Sequence, residues 1–244
     1  MPRLTRPQRA SGKPLPEPWR GVARLIDHTL LRPDATASQV IQLCAEARHF
    51  RVAAVCVNPV HVALAAAELR RSAVRVAAVV GFPLGASLSA TKRFEAKQAL
   101  ALGATELDMV LNIGALKAGE HKLVTDDIRA VTRPVHAAGA RVKVILETAL
   151  LTDEEKKLAC ELALAAEADF VKTCTGFGGG GATVADVALM RRVVGNRAGV
   201  KASGGIRTAA DALAMIAAGA SRIGASASVA ILKELGAPAL GKKI

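Results

Sequence analysis

Short apolar runs alternate with amphipathic stretches along the chain from residue 24 onward. In the amphipathic stretches the apolar residues recur at helical spacing, as at Ile128, Val131 and Val135. The apolar runs are nearly continuous, which is typical of strands that are buried on both faces. The pattern predicts strands at residues 25–30, 52–57, 75–80, 106–112, 142–147, 170–174, 200–203 and 222–224.

Eight strand–helix units therefore follow one another in a chain of 244 residues, without a linker or a change in composition. Strands that alternate with helices build βαβ units, in which neighbouring strands run parallel. Eight units in a chain of this length predict an α/β protein with a closed (β/α)8 TIM barrel, rather than an open sheet. We expect one domain over residues 21–244. Residues 1–20 contain five prolines and five basic residues, which predicts a disordered tail.

The overall charge by itself suggests an anionic polymer as a partner. Lys and Arg together number 33, against 21 Asp and Glu, which gives a formal net charge of +12. The basic residues are scattered over helix faces and both termini, without interleaved aromatic residues or a known nucleic-acid-binding motif. We therefore expect no nucleic-acid partner.

The four cysteines show neither CxxC spacing nor close pairing, which predicts small buried residues in a reducing compartment. No apolar run reaches the roughly 20 residues that a membrane-spanning helix needs, and the N-terminal residues do not form a secretory signal. Neither an HExxH pattern nor a GxGxxG loop after a first strand is present. We therefore expect a cytoplasmic protein that has no membrane partner, no metal and no cofactor.

Charged residues interrupt the predicted strands, and many of them share one strand face. In a (β/α)8 barrel the active site lies at the C-terminal ends of the strands. Burying an ammonium group is costly unless it is paired, so lysines on three successive strands are hard to explain by packing alone. The candidate inward-facing residues are Asp27, His28, Cys56, Asn58, Glu106, Asp108, Asn112, Lys143, Glu147, Lys172 and Lys201.

Lys172 is the candidate nucleophile, because its strand lies between the strands of Lys143 and Lys201. A second ammonium group within about 4–6 Å disfavours the charged form of a lysine, and a neutral amine attacks carbonyl carbons to form an imine. We expect Asp108 or Glu147 to keep a partner lysine charged. Taken alone, Lys172 fits equally well as a strand-end lysine whose stem packs while its ammonium group reaches water.

Two glycine-rich loops follow the last two strands. Residues 203–207 read SGGIR, and residues 224–228 read GASAS. Loops after strands seven and eight commonly bind phosphate in barrels of this kind, and a helix N-terminus attracts anions. Tight turns would explain one such loop. Two loops at these positions favour a phosphorylated ligand.

Ordered motifs are spread along the chain from Asp27 to Ile231. They are VCVNP at 55–59, GFPLG at 81–85, ELDMVLNIG at 106–114, KVILET at 143–148, KTCTGF at 172–177, GATVADV at 181–187 and KASGGIR at 201–207. These motifs resemble those of the deoxyribose-phosphate aldolases. The resemblance implies a class I aldolase that reversibly cleaves 2-deoxy-D-ribose 5-phosphate to acetaldehyde and D-glyceraldehyde 3-phosphate. It also implies a phosphosugar as the small-molecule partner and assembly into a homodimer or homotetramer.

The resemblance also implies roles for individual residues. Lys172 would form the Schiff base, and Lys201 and Asp108 would relay protons. In the expected scheme, the cationic imine accepts electrons as the C3–C4 bond of the sugar breaks, which leaves an enamine of acetaldehyde. The remaining site residues that it implies are Asp27, Cys56, Lys143 and Thr175 in support, and Gly176, Gly204, Gly205, Gly224 and Ser226 in phosphate binding.

The chain departs from the family pattern at three points. Cys174 and Ala227 stand where serines are usual, with Ser228 one residue on, and the tyrosine that some members carry in their C-terminal tail has no counterpart. Two alternatives stay open. One is another lysine-dependent phosphosugar aldolase or transaldolase, and the other is a catalytically silent barrel that binds a phosphometabolite.

Overall fold

The strands form a closed parallel barrel. The computed structural model describes residues 17–239. Each strand pairs with the next one in the chain, and the last strand pairs with the first. The strands are β1 (Ile26–Leu30), β2 (Ala54–Val57), β3 (Arg75–Val80), β4 (Glu106–Val110), β5 (Arg141–Ile145), β6 (Phe170–Lys172), β7 (Gly199–Ser203) and β8 (Arg222–Ala225).

Helices cover the outside of this barrel. Capping residues mark the start of three of them, where the side chains of Thr36, Thr152 and Thr208 each accept a hydrogen bond from an amide of the first helical turn and their backbone amides each donate one in return. The helices are α1 (Pro18–Ala23), α2 (Ala37–Phe50), α3 (Val62–Glu68), α4 (Ser89–Ala101), α5 (Ile113–Lys117), α6 (His121–Ala137), α7 (Asp153–Ala165), α8 (Val184–Val194), α9 (Ala209–Ala217) and α10 (Ser228–Glu234).

The predicted (β/α)8 barrel is confirmed, and all eight predicted strands are present. Three strands end two residues earlier than the apolar runs that predict them. β4 ends at Val110 because Asn112 caps α5 by accepting a hydrogen bond from the Ala115 amide. β5 ends at Ile145 because Glu147 adopts a left-handed backbone conformation, with φ of 57°. β6 ends at Lys172, and an irregular loop follows it.

The interior of the barrel divides into an apolar part and a charged part. On the side of β1 to β3, small apolar side chains pack together, with Phe82 against them. Charged side chains from β4 to β8, and Asp27 from the neighbouring β1, fill the rest of the same layer. Lys172 is paired in register with Lys201, and Asp108 with Lys143. The apolar side is made of Leu31, Ala54, Cys56, Ala77 and Val79.

The first helix changes the predicted boundary of the N-terminal tail. Residues 1–16 lie outside the described residues, but α1 begins at Pro18, so the barrel domain starts earlier than residue 21. Proline is well suited to the first turn of a helix, and the buried ring of Trp19 packs edge-on against Phe50 at 6.2 Å. In residues 17–239, no helix is both long and apolar enough to cross a bilayer.

Gly199 at the start of β7 makes room for the ring of Phe170 inside the barrel. An added Cβ would lie 2.1 Å from Phe170 Cε1, which is far inside van der Waals contact. Overpacking of this kind costs about 1–3 kcal/mol, so we expect Gly199→Ala to lower the melting temperature by roughly 2–10 °C, measured by calorimetry.

Gly21→Ala is the matched control, because no atom lies within 4 Å of the Cβ that it would add. Alanine also favours the helical conformation of α1, so its melting temperature should stay the same or rise. A Gly199→Ala protein that melts with the wild type would show that Phe170 does not constrain this strand.

Candidate active site

A cluster of buried charges occupies the part of the barrel interior that lies between β4 to β8 and the neighbouring β1. Four cations and three carboxylates belong to it among the described residues, and all are buried. Their strands place them in one layer, because residues of matching parity on neighbouring strands face inward together. The members are Asp27, Glu106, Asp108, Lys143, Lys172, Lys201 and Arg222.

Asp108 lies at the centre of this cluster. Its Oδ1 accepts a hydrogen bond from Lys143 Nζ at 2.7 Å. Its Oδ2 accepts from Lys172 Nζ at 2.8 Å and from Lys201 Nζ at 2.7 Å. One carboxylate therefore brings the amine groups of three strands together, as a proton-transfer site requires.

Two of the three lysines have further carboxylate partners. Lys201 Nζ also donates to Asp27 Oδ2 at 2.5 Å, and Lys143 Nζ lies 2.7 Å from Glu106 Oε2. Arg222 spans the same two carboxylates, at 2.7 Å from Asp27 Oδ1 and 3.0 Å from Glu106 Oε2. Lys172 makes an ion pair with Asp108 alone in the described part of the chain.

The charge count singles out Lys172. Three carboxylates balance three of the four buried cations, and Arg222 is always charged. Lys143 and Lys201 each lie against two or more carboxylates, whereas Lys172 shares its single carboxylate with both of them. Lys172 therefore has the smallest share of the negative charge in the cluster.

The other cluster members are held in their charged forms. Burial by itself raises the pKa of Asp27 and Asp108, but the surrounding lysines, and Arg222 for Asp27, outweigh it and hold both pKa values well below the usual range. Burial by itself lowers the pKa of Lys143 and Lys201, and the facing carboxylates outweigh it and raise both. Asp108 and Lys201 thus form a charged pair next to the Lys172 amine.

A pocket of about 290 Å³ opens over Lys172 at the C-terminal ends of the strands. Lys172 is 2% exposed and is the member of the charged cluster that lines this pocket. Asp108 and Lys201 lie directly behind its amine. Asp108 Oδ2 accepts hydrogen bonds from Lys172 Nζ and from Lys201 Nζ. A molecule in the pocket therefore meets the Lys172 amine before it meets the charged pair of Asp108 and Lys201.

The predicted phosphate residues line the same pocket as Lys172. Gly176, Gly204, Gly205, Gly224 and Ser226 all contribute to it. Gly224 also makes room for Lys201, the lysine next to Lys172, because an added Cβ would lie 3.0 Å from Lys201 Cε.

The helix after β7 does not offer its N-terminus to an anion, contrary to the expectation from sequence. The amides of Arg207 and Thr208 donate to Asp211 Oδ2, and the Ala209 amide donates to Glu234 Oε2. In the described part of the chain, the amides of Gly204, Gly205 and Ser226 have no such protein acceptor. The glycine turn itself, rather than the helix, therefore presents free donors to the pocket.

Two arginines at the pocket mouth were missed by the sequence analysis. Arg32 and Arg207 line the pocket next to the glycine loops, and both are exposed. Arg32 also makes a two-pronged ion pair with Asp34. Arginine is suited to phosphate recognition, and the position of each arginine directly after a strand was the available signal.

Arg222 was missed because it lies at the start of its strand. It shares parity with Gly224, and this parity could have placed it inside the barrel. Its guanidinium group stacks over the Phe170 ring at 5.3 Å, which packs the charge against an apolar surface.

Four polar residues on the predicted inner face have other roles. Glu147 accepts hydrogen bonds from the amide and hydroxyl groups of Thr175, so Asp108, rather than Glu147, is the expected carboxylate that faces the lysines. Asn112 caps a helix, as described above. His28 faces outward to Glu46 at 2.8 Å, because it has the opposite parity to Asp27. Asn58 donates to the Leu31 carbonyl at 3.1 Å.

The expected supporting residues Cys56 and Thr175 lie near Lys172 but make no hydrogen bond with its amine. Cys56 belongs to the apolar side of the barrel interior, and burial raises the pKa of its thiol. Thr175 lines the pocket and is oriented by Glu147.

Of the three departures from the family pattern, the one at Cys174 is accommodated locally and the one at Ala227 is not. Cys174 takes the place of the usual serine by donating from Sγ to the Ser203 carbonyl at 2.6 Å, and burial raises the pKa of its thiol. Ser228 does not replace the serine missing at Ala227. Its hydroxyl group is buried and donates to the Ala225 carbonyl at 2.8 Å.

No group of three or more His, Cys, Asp or Glu side chains with metal-binding geometry occurs in residues 17–239. The absence of a metal and of a cofactor stays a prediction from the sequence.

Removing the central carboxylate should destabilise the protein in a pH-dependent way. Asp108→Asn leaves buried ammonium groups without their shared counter-charge, so we expect a loss of about 3–5 kcal/mol in unfolding free energy at neutral pH. The depressed pKa of Asp108 stabilises the fold above the unfolded pKa, near 3.9, and this contribution is lost as pH falls through the folded pKa. The gap to wild type should therefore shrink below about pH 4, as urea unfolding would measure.

Glu154→Gln is the control for this measurement, because the Glu154 side chain is largely exposed. Its unfolding free energy should follow that of the wild type across the same pH range. A gap between Asp108→Asn and wild type that widens toward acid would contradict the ionised state of Asp108.

Comparisons with known proteins agree with this geometry. Residues 22–234 match the model of the DeoC/LacD family aldolases. The chain is 60% identical over 214 residues to deoxyribose-phosphate aldolase 1 of Bacillus licheniformis, which covers 88% of this chain and 96% of the relative. It is 58% identical to the deoxyribose-phosphate aldolase of Halalkalibacterium halodurans, over 87% of this chain and 95% of the relative.

The fold is similar to solved structures of the same group. The deoxyribose phosphate aldolase from Aeropyrum pernix, described as having a unique tetrameric structure, superposes with a TM-score of 0.83 at 34% identity, over 88% of this chain and 91% of that one. The matched part of the chain spans nearly the whole barrel and includes all the strands that carry the charged cluster. The chain therefore belongs to the DeoC/LacD family of aldolases.

Proposed function

We propose that this protein cleaves 2-deoxy-D-ribose 5-phosphate reversibly to acetaldehyde and D-glyceraldehyde 3-phosphate. The observation that carries the proposal is one pocket that is lined both by an amine and by glycine loops with free backbone amides. Lys172 supplies the amine, and the loops after β7 and β8 supply the amides. The deoxyribose-phosphate aldolases that the chain resembles at 58–60% identity support the same substrate.

The reaction begins with the amine of Lys172. Its neutral Nζ attacks C1 of the open-chain sugar, forms a carbinolamine and loses water to give a cationic imine. The imine nitrogen then accepts the electron pair of the bond that breaks, while the C3 hydroxyl group loses its proton and becomes the aldehyde of the released triose phosphate.

The carbon count locates the bond that breaks. Acetaldehyde keeps C1 and C2 of the sugar, and D-glyceraldehyde 3-phosphate keeps C3 to C5. The cleaved bond is therefore C2–C3, and the C3–C4 bond expected from the sequence analysis is wrong, because it would leave three carbons on the lysine. The enamine left on Lys172 is protonated at C2 and hydrolysed to acetaldehyde and free amine.

Asp108 and Lys201 are suited to move the protons of these steps. Asp108 Oδ2 contacts both Lys172 Nζ and Lys201 Nζ, so a proton passes between the two amines through one oxygen. Asp27 and Lys143 support the relay, because Asp27 holds Lys201 and Lys143 occupies the other oxygen of Asp108. Proton relays of this kind contribute about 10² to 10⁴ in rate.

The phosphate group of the substrate would lie against the glycine loops of the pocket. The amides of Gly204, Gly205 and Ser226 supply donors, and Gly176 lines the same pocket. Arg32 and Arg207 add positive charge at the mouth. A phosphate held there fixes the distance between the anion and the C1 carbon that meets Lys172.

Assembly and location remain part of the proposal. The tetrameric relative from Aeropyrum pernix supports an oligomer, and a homodimer or homotetramer is the expected form. Large apolar side chains that are exposed on the barrel surface, such as Val60, Leu84 and Leu88, also fit an oligomer. A cytoplasmic location and the absence of a nucleic-acid partner stay predictions.

Borohydride trapping separates the roles of the two lysines. Lys172→Ala removes the nucleophile, so no reduced adduct should form with deoxyribose 5-phosphate. Lys201→Arg keeps the positive charge but does not release a proton near neutral pH. We expect it to lose about 10² to 10⁴ in kcat while still forming an adduct slowly on Lys172, as peptide mass mapping would show.

Lys156→Met is the control, because Lys156 pairs with Asp186 between α7 and α8, outside the barrel interior. It should trap substrate at the wild-type rate. An adduct on Lys201 or Lys143 instead of Lys172 would overturn the assignment of the nucleophile. A panel of other phosphosugars in the same assay tests the substrate.

A carboxylate beside the phosphate should weaken binding selectively. Ser226 is exposed and lines the pocket. Ser226→Asp should raise KM for deoxyribose 5-phosphate by about ten-fold or more, and change KM for unphosphorylated deoxyribose by less than about two-fold.

Ala138→Asp is the control, since Ala138 is exposed in the turn before β5 and adds the same charge at the other end of the barrel. Both of its KM values should match those of the wild type. Equal losses on the two substrates with Ser226→Asp would show that this loop does not hold the phosphate.

A further inference from the structure

A second buried ion pair lies outside the charged cluster, between α4 and α6. Lys92 of α4 is completely buried, and its Nζ donates to Asp127 Oδ2 of α6 at 2.6 Å. Asp127 Oδ1 has no hydrogen-bond partner among the described residues. A half-satisfied buried pair is weak evidence for stability, because desolvation costs about as much as the pair gains. The pair therefore calls for another explanation.

The same amine reaches the end of a catalytic strand. Lys92 Nζ donates a second hydrogen bond, at 3.0 Å, to the carbonyl oxygen of Val110, the last residue of β4. Val110 lies two residues after Asp108 on that strand. The charged side chain of an outer helix is thus tied to the strand end that carries the central carboxylate.

The loop after β3 is built around the stem of this lysine. Gly81 has a φ of +60°, and an added Cβ would lie 2.9 Å from Lys92 Cε. The Gly81 amide donates to Glu95 Oε2 of α4 at 2.7 Å, one turn along from Lys92. The loop continues into Phe82, whose ring contacts Phe177 of the pocket edge-on at 5.4 Å. Lys92 therefore borders both the strand of Asp108 and the loop behind the pocket.

We propose that Lys92 is a positioning residue, which holds the C-terminal end of β4 so that Asp108 meets three amines at once. Asp127 keeps the Lys92 amine directed at Val110 from the far side. Three hydrogen bonds of 2.7 to 2.8 Å to one carboxylate leave little tolerance for movement of its strand. The proposal rests on the proposed function for its kinetic test, since that function makes Asp108 part of the proton relay.

The test compares loss of the Val110 contact with loss of the ion pair. Lys92→Met removes the donor, so we expect kcat for deoxyribose 5-phosphate to fall by about ten-fold to a hundred-fold, with KM changed by less than about three-fold. Asp127→Asn keeps the donor and its bond to Val110, so its kcat should stay within about three-fold of the wild type although its melting temperature falls.

A double variant separates position from stability. Lys92→Met/Asp127→Leu removes both charges and fills the site with apolar side chains, which is often neutral or stabilising. It should fold even where Lys92→Met does not, and its kcat should remain as low as the single variant predicts. Lys156→Met is the matched control, because it breaks an interhelical ion pair on α7 that does not contact a strand end.

Two outcomes would overturn the proposal. One is a double variant with wild-type kcat. The other is a Lys92→Met protein that, like Lys156→Met, loses stability and keeps its kcat. A parallel readout keeps this result apart from the substrate assignment, namely the rate at which acetaldehyde and borohydride modify Lys172. Wild-type protein that traps acetaldehyde without cleaving deoxyribose 5-phosphate would overturn the proposed function, and the trapping rates of the variants would then decide the role of Lys92.

Discussion

A single buried carboxylate organises the inside of this barrel. Asp108 accepts hydrogen bonds from lysines on β5, β6 and β7, and the ammonium groups that it holds would otherwise repel one another. Because burial of an unpaired charge is costly, the other carboxylates of the cluster pair with the cations that Asp108 does not fully balance. Asp27 and Glu106 do this for Lys201, Lys143 and Arg222, and Lys172 is left with the smallest share of negative charge.

This arrangement explains why the reactive amine and its proton relay can coexist at such short distance. Lys172 and Lys201 are the same kind of side chain, paired in register on neighbouring strands. Their difference comes from their carboxylate partners and from their access to the pocket, which Lys172 lines and Lys201 does not. In the proposed mechanism, this difference in placement makes Lys172 the nucleophile and Lys201 part of the proton relay.

The apolar side of the interior and the outer helices serve the same site. Small side chains such as Ala54 and Ala77 fill β2 and β3, so the charged side chains are confined to the other strands and a tight layer is preserved. Outside the barrel, Lys92 links α4 and α6 to the end of β4. In the pocket, the glycine turns leave backbone amides free, whereas Asp211 and Glu234 accept the hydrogen bonds of the amides at the start of α9.

The sequence by itself determined the barrel, the family and the identity of the lysines, because alternating apolar runs set the fold and strand parity sets the inner face. The structure placed the predicted Lys143, Lys172, Lys201, Asp27 and Asp108 in one cluster. Only the tertiary structure decided which carboxylate faces which amine. The sequence left Asp108 and Glu147 as alternative lysine partners, and the fold selected Asp108, since Glu147 has a left-handed backbone conformation after the strand end and bonds to Thr175. Lys92 became visible only in the fold, because its contacts join residues far apart in the chain and no local pattern records them. Strand position and parity could have marked Arg32, Arg207 and Arg222, but only the fold showed that they meet the pocket or the cluster.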